Sequence, residues 1–181
     1  MSNQQTLSIK QAMTGLVEKF IDAHDVLPTM DYDPDWTSVC QQVDTLQGEQ
    51  IQWQPEINDN PGSFENVEYA LDCKLHPSIS QYYGCFWSAD IEARHPKGPL
   101  TLLQVFNPED LETLQQNIIG HIMMKQRLKQ PITVFFAVTD EDDQMISVIN
   151  DTGEVWLEYV GKEPHLKLAD SIAEFIELLD C

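Results

Sequence analysis

Ile132-Thr-Val-Phe-Phe-Ala-Val138, Met145-Ile-Ser-Val-Ile149 and Glu154-Val-Trp-Leu-Glu-Tyr-Val160 are three short runs dominated by β-branched and aromatic side chains. The spacers between them are an acidic turn, residues 139–144, and Asn150-Asp-Thr-Gly153. Spacers this short join antiparallel neighbours, because a parallel crossover needs a dozen residues or more. The three runs therefore predict a meander. Downstream, Leu168, Ile172, Phe175 and Leu179 recur at helical spacing and predict a closing helix on its apolar face. Upstream, Asn107-Pro-Glu-Asp110 is a helix start with a cap, a proline at the first turn and two carboxylates at the positive end of the dipole. That helix runs through Leu111, Leu114, Ile118 and Ile122 to about residue 129, where Pro131 stops it.

Further outward, residues 85–94 alternate, with Trp87, Ala89, Ile91 and Ala93 on one face and Ser88, Asp90, Glu92 and Arg94 on the other. His95-Pro-Lys-Gly-Pro99 turns that strand back into residues 100–106. Met13, Leu16, Val17, Phe20 and Ile21 predict a helix over about residues 6–24. Asp31-Tyr-Asp-Pro-Asp35 reads as a loop, and residues 39–43 and 49–54 as a hairpin around Gly48. Ser63 is placed to cap a helix continuing to about residue 75, before Pro77. The pattern predicts a single domain over residues 1–181, of α+β class, with a largely antiparallel sheet packed against several helices.

Ten Lys and Arg stand against thirty Asp and Glu, a formal charge of −20. A phosphate-tracking nucleic-acid binder needs clustered cations, and direct attachment to anionic lipid needs a polybasic segment; this composition supplies neither. Residues 20–73 hold no Lys or Arg and twelve carboxylates, and residues 131–161 hold seven more with no cation. Solubility in a small domain needs a net charge of only about 2 to 8, so the excess points to a basic partner. Met1 to Thr6 are polar, residues 7–21 are periodic, and the longest apolar-dominated run, Ile132 to Val138, is seven residues. No secretory leader or membrane span is expected, which predicts a soluble cytoplasmic protein with reduced thiols.

No catalytic or cofactor motif emerges. Cys40, Cys73, Cys85 and Cys181 form no C-x-x-C pair, and His24, His76, His95, His121 and His165 show no metal-ligand spacing. Asp31, Asp33 and Asp35 open like a calcium loop, but Trp36 and Gln42 occupy positions that need glycine and glutamate. Lys125, Arg127 and Lys129, the only basic cluster, suit the negative end of their helix better than a binding patch. The acids are better organised. Glu65, Glu68 and Asp72 form a stripe beside the apolar Phe64, Val67, Leu71 and Leu75, while Asp90 and Glu92 share a strand face. An acidic stripe bordering an apolar one fits the rim of a groove that receives a basic, partly apolar segment.

Thr101-Leu-Leu-Gln104, Gln116-Asn-Ile-Ile-Gly-His121, Lys125-Gln-Arg-Leu-Lys-Gln-Pro131, Ile146-Ser-Val148 and Gly153-Glu-Val155 resemble the bacterial Syd proteins, a family distantly grouped with the SMI1/KNR4-like fold. Trp53-Gln-Pro55 and the stretch from Phe64 to Asp72 fit the same pattern, whereas residues 25–40 depart from it. The resemblance implies a non-enzymatic, cofactor-free protein of the cytoplasm that docks on basic cytosolic loops of the SecY channel and regulates or monitors translocon assembly. Such a protein is peripheral to the inner membrane through its partner rather than through lipid, and is expected to be a monomer. An acidic inhibitor or immunity-type protein that blocks a basic toxin or nuclease is the alternative from another class. The residues expected to contact a partner, chosen from spacing and charge, are Glu65, Glu68, Asp72, Asp90 and Glu92.

Overall fold

The computed structural model describes residues 8–181. The polar opening stretch and the first residues of the helix expected from residue 6 lie outside the described residues. Helix α1 spans Ile9–Asp22 behind a capping box in which the Ser8 hydroxyl accepts from the Gln11 N–H and the Gln11 side chain accepts from the Ser8 N–H. Its inner face is Ile9, Ala12, Met13, Leu16, Val17 and Phe20; Ile21, expected inside, is exposed. Strands β1 (Thr29–Asp31), β2 (Gln41–Gln47) and β3 (Gln50–Trp53) follow, then the short β4 (Glu56–Ile57). The hairpin around Gly48 is present, with that glycine at φ +63°, and β1 joins it to give the order β1-β3-β2.

Helix α2 (Glu65–Leu71) ends short of the residue 75 expected for it, and a further helix, α3 (Pro77–Tyr83), follows that the sequence pattern does not predict. Phe64 takes the cap position, and the Ser63 hydroxyl instead accepts from the Glu65 N–H. Asp72, at φ +48°, ends α2 in the left-handed region. Pro77 begins α3 rather than merely blocking its predecessor, because a proline at the first helical position loses no intrahelical hydrogen bond. Residues 85–94 likewise divide. Strand β5 (Phe86–Trp87) pairs with β4, while β6 (Ile91–His95) belongs to the main sheet, its Ile91, Ala93 and His95 buried and its Glu92 and Arg94 exposed.

Strands β6, β7 (Gly98–Leu102), β8 (Thr133–Thr139), β9 (Gln144–Ile149), β10 (Val155–Tyr159) and β11 (Leu166–Ala169) form an antiparallel sheet in the order β11-β10-β9-β8-β7-β6. The predicted meander is its centre. Leu168 sits in β11, not in the closing helix; α5 (Ile172–Glu177) starts only after Ser171, whose hydroxyl accepts from the Glu174 N–H. Directly paired residues share a face of a sheet. Val134, Val148 and Val155 thus align on the core side, where Phe136 meets Tyr82 and Phe175 edge-on at 5.2 and 5.6 Å. The hydroxyls of Tyr82 and Tyr83 donate to the carbonyls of Leu103 and Phe135, pinning α3 to β8 and the chain after β7.

Helix α4 (Pro108–Arg127) lies along the opposite face. The Asn107 Oδ1 accepts from the Asp110 N–H at 2.8 Å, and its Nδ2 donates to the Thr37 carbonyl at 3.1 Å. One side chain therefore caps the helix and ties it to the loop before β2. Asn107→Ala is expected to lower stability by about 1 to 2 kcal/mol, read as a reduced urea midpoint. Asn107→Asp, which keeps the cap acceptor but loses the donor to Thr37, should recover most of that loss. Equal losses for the two variants would place the effect in the loop tether and not in the cap.

Candidate functional site

Of the five acids singled out by spacing, three line concavities of the surface, two in one and one in another. Glu65 and Glu68 join Asp59 around a concavity of about 800 Å³, walled by the start of α1, the residues before α2 and the end of α3. Glu92 joins Asp140 in a second concavity of about 390 Å³ at the β6, β7 and β8 end of the sheet. No lining residue is common to both. Each concavity also holds one cation, Lys10 in the first and Arg94 in the second. Asp72, which terminates α2, and Asp90, just before β6, line neither.

The carboxylates differ in how far the fold has engaged them. Glu68 accepts from Lys74 Nζ at 2.8 Å and from the Leu75 N–H at 3.0 Å, and the Lys74 and Leu75 hydrogen bonds together hold its pKa below the usual carboxylate range. It staples the connection between α2 and α3. Asp90 accepts from the Gln104 N–H at 2.8 Å and so joins the start of β6 to the chain after β7. Burial pushes its pKa up, that hydrogen bond opposes the rise, and the nearby Asp110 charge adds to it. Glu65, Asp72 and Glu92 make no side-chain hydrogen bond or ion pair among the described residues, so their charge faces solvent whole.

Cross-strand register extends this face. Glu92, Thr101, Val138, Met145 and Glu158 occupy successive opposed positions from β6 to β10. The row begins exposed at Glu92 and ends fully buried at Glu158, under α4. There the Glu158 carboxylate accepts from Lys125 Nζ, Thr133 Oγ1 and Ser147 Oγ at 2.7, 2.7 and 2.8 Å, with His121 Nε2 at 3.5 Å. Lys125 Nζ also donates to the Lys162 carbonyl at 2.7 Å and to Gln130 Oε1 at 3.2 Å. Lys125 is fully buried, so the cluster with Arg127 and Lys129 cannot act as a surface patch. Sequence reasoning missed this network, and also Gln115. That buried side chain accepts from Asn66 Nδ2 and donates to the Ser63 carbonyl, clamping α2 onto α4.

The thiols are not poised for nucleophilic chemistry. Burial raises the pKa of Cys40, and that of Cys85 to about 11, away from the thiolate that such chemistry uses. Among the described residues no group of His, Cys, Asp and Glu is arranged to hold a metal ion, and no helix is long and apolar enough to cross a membrane.

Fold and surface together define an α+β protein on a six-stranded antiparallel sheet, with acid-lined open concavities. A family model described as Syd protein (SUKH-2) matches residues 8–180, and the chain belongs to that family. The protein Syd of Pseudoalteromonas atlantica is 42% identical over 168 residues, covering 92% of this chain and 90% of the relative. The protein Syd of Colwellia psychrerythraea is 48% identical over 171 residues, covering 90% and 85%. That of Alteromonas mediterranea is 50% identical over 148 residues, covering 82% of each.

Proposed function

We propose that this protein is a cytoplasmic docking protein that binds basic cytosolic loops of the SecY channel through its acidic surface, as a monomer and without cofactor or turnover, and so regulates or monitors translocon assembly. One observation carries the electrostatic part: among the described residues, 25 of the 30 carboxylates make no ion pair with a side-chain cation. Cytosolic loops of membrane proteins carry excess Lys and Arg. A protein with this much unneutralised charge is steered to such loops and repelled by the anionic lipid around them. Membership in the Syd family supports SecY as the owner of those loops.

The contact acids are Glu65, Glu68, Asp72, Asp90 and Glu92. Glu65 and Glu92 rank first, because each lines a concavity and reversing it disturbs no internal hydrogen bond; Glu68→Lys would also release Lys74 and Leu75. Binding should be measured by co-sedimentation with vesicles containing SecY and with protein-free vesicles of the same lipid. Glu65→Lys with Asp59→Lys is expected to weaken binding to SecY vesicles by about tenfold or more, with unchanged thermal stability and a steep loss of wild-type binding as salt rises. Glu92→Lys, tested separately, reports whether the second concavity shares the contact. Binding indifferent both to salt and to all three reversals would overturn the proposal, and tight inhibition of a soluble basic nuclease in place of SecY binding would favour the inhibitor alternative.

A further inference from the structure

The strand β2 contains an irregularity that the hairpin pattern does not foreshadow. Gln42 pairs with Gln52 and Gln47 with Gln50, so residues 43–46 all stand opposite the single residue Ile51. Thr45 fastens this bulge from inside, its hydroxyl donating to the Gln42 carbonyl at 2.6 Å and accepting from the Gln52 N–H at 2.9 Å. Bulges re-aim side chains. Here Ile51 stays 1% exposed while Val43 is 74% and Leu46 40% exposed, with Asp44 between them also in solvent. The exposure of the two apolar residues is thus held in place by specific hydrogen bonds.

It is also not isolated. Of the fourteen large apolar residues that stand exposed among the described residues, eight fall in residues 20–73, which contain no Lys or Arg. Val39 and Trp36, just before β2, are among them, and the same surface segment carries the exposed Asp31, Asp33, Asp35 and Glu49. Val43, Asp44 and Leu46 line neither acidic concavity. Exposed apolar side chains normally invite self-association, but a second copy would bring the same acids against these acids. Charge complementarity selects the opposite occupant.

We propose that the β2 bulge, with Val43 and Leu46 as anchors and Asp44, Asp31 and Glu49 as rim, is a second docking surface for a basic protein segment that carries apolar side chains. The carboxylates steer the segment, and the two apolar side chains supply contact area that charge alone lacks. This surface is distinct from the concavities of the proposed function and stands or falls independently of them.

Two twelve-residue peptides of equal charge test it, one alternating Lys with Leu and the other Lys with Ser, each titrated into ¹⁵N-labelled protein. The Lys/Leu peptide is expected to shift the amides of residues 43–46 and to bind at least tenfold more tightly than the Lys/Ser peptide. Val43→Ser with Leu46→Ser should erase that difference while leaving the urea midpoint unchanged. Three outcomes overturn the proposal: equal affinity for both peptides, a preference that survives the double substitution, or concentration-dependent dimerisation through residues 43–46 without peptide. Shifts centred on Glu65 or Glu92 would likewise overturn it, while agreeing with docking in the concavities.

Discussion

Lys125→Ala is expected to destabilise the protein by about 3 to 5 kcal/mol, because it strands the Glu158 carboxylate without its cation in a site closed to water. For a chain of this size that corresponds to a fall in melting temperature on the order of 10 °C. Replacing both partners by apolar side chains of similar volume, Lys125→Met with Glu158→Met, should cost far less, since burying an ion pair is itself expensive. The contrast separates loss of the pair from loss of packing. If the double variant is as unstable as Lys125→Ala, the ion pair is not the source of the effect.

Acid dependence follows from the same group. Burial alone would raise the pKa of Glu158, but hydrogen bonds from His121, Lys125, Thr133 and Ser147 outweigh it and bring the value from 4.5 down to about 2. A carboxylate whose pKa is lower folded than unfolded contributes its stabilisation fully above the unfolded value and loses it as pH falls through the folded one. The wild-type protein should therefore lose about 3 kcal/mol between pH 4.5 and 2 through this residue. Lys125→Ala reverses the sign of that slope near neutrality, since protonation then relieves an uncompensated buried charge. Urea midpoints measured from pH 7 to pH 5 should converge between variant and wild type; parallel curves would contradict the assignment.

The same network shows what the sequence could and could not disclose. The meander, α1 and α4 were legible because each rests on local rules: alternation, the 3.6-residue period, and the Asn107-Pro108 start. Thr133, Ser147 and Glu158 were visible as polar residues inside apolar strands, yet nothing local said that register aligns them beneath Lys125. A lysine in the last turn of a helix has an adequate local explanation in the dipole, which hid its burial. Helix α3 was missed because Pro77 terminates one helix pattern and begins another with equal right, and His76 is an uncommon cap. The acids posed the converse problem. Their spacing was readable, but spacing within an element does not tell which concavity it faces: Glu65 and Glu68 line one, Glu92 another, and Asp72 and Asp90 neither.

Gly153→Ala is the substitution through which a distant turn should reach the acidic helix. Gly153 lies at φ +79° in the turn between β9 and β10, and a Cβ there would stand 2.5 Å from Cε1 of His76. That ring cannot swing away freely: its Nδ1 engages the Ser78 hydroxyl at 2.8 Å and accepts from the Ser78 N–H to cap α3. The His76 N–H in turn donates to Asn150 Oδ1, and Asn150 Nδ2 donates to the Lys74 carbonyl, both at 2.8 Å. Lys74 is the partner of Glu68. Left-handed backbone costs a residue with a Cβ about 1 to 2 kcal/mol, and forced overpacking about 1 to 3 more, so a total of about 2 to 5 kcal/mol is expected. Gly161→Ala is the matched control, since Gly161 has φ +77° but nothing within 4 Å of the added Cβ; it should incur the backbone cost alone. The Leu75 amide, which donates to Glu68, should change its chemical shift in Gly153→Ala and not in Gly161→Ala. Equal destabilisation by the two variants, with the Leu75 amide unmoved, would show that the turn and the acidic helix are not coupled through His76.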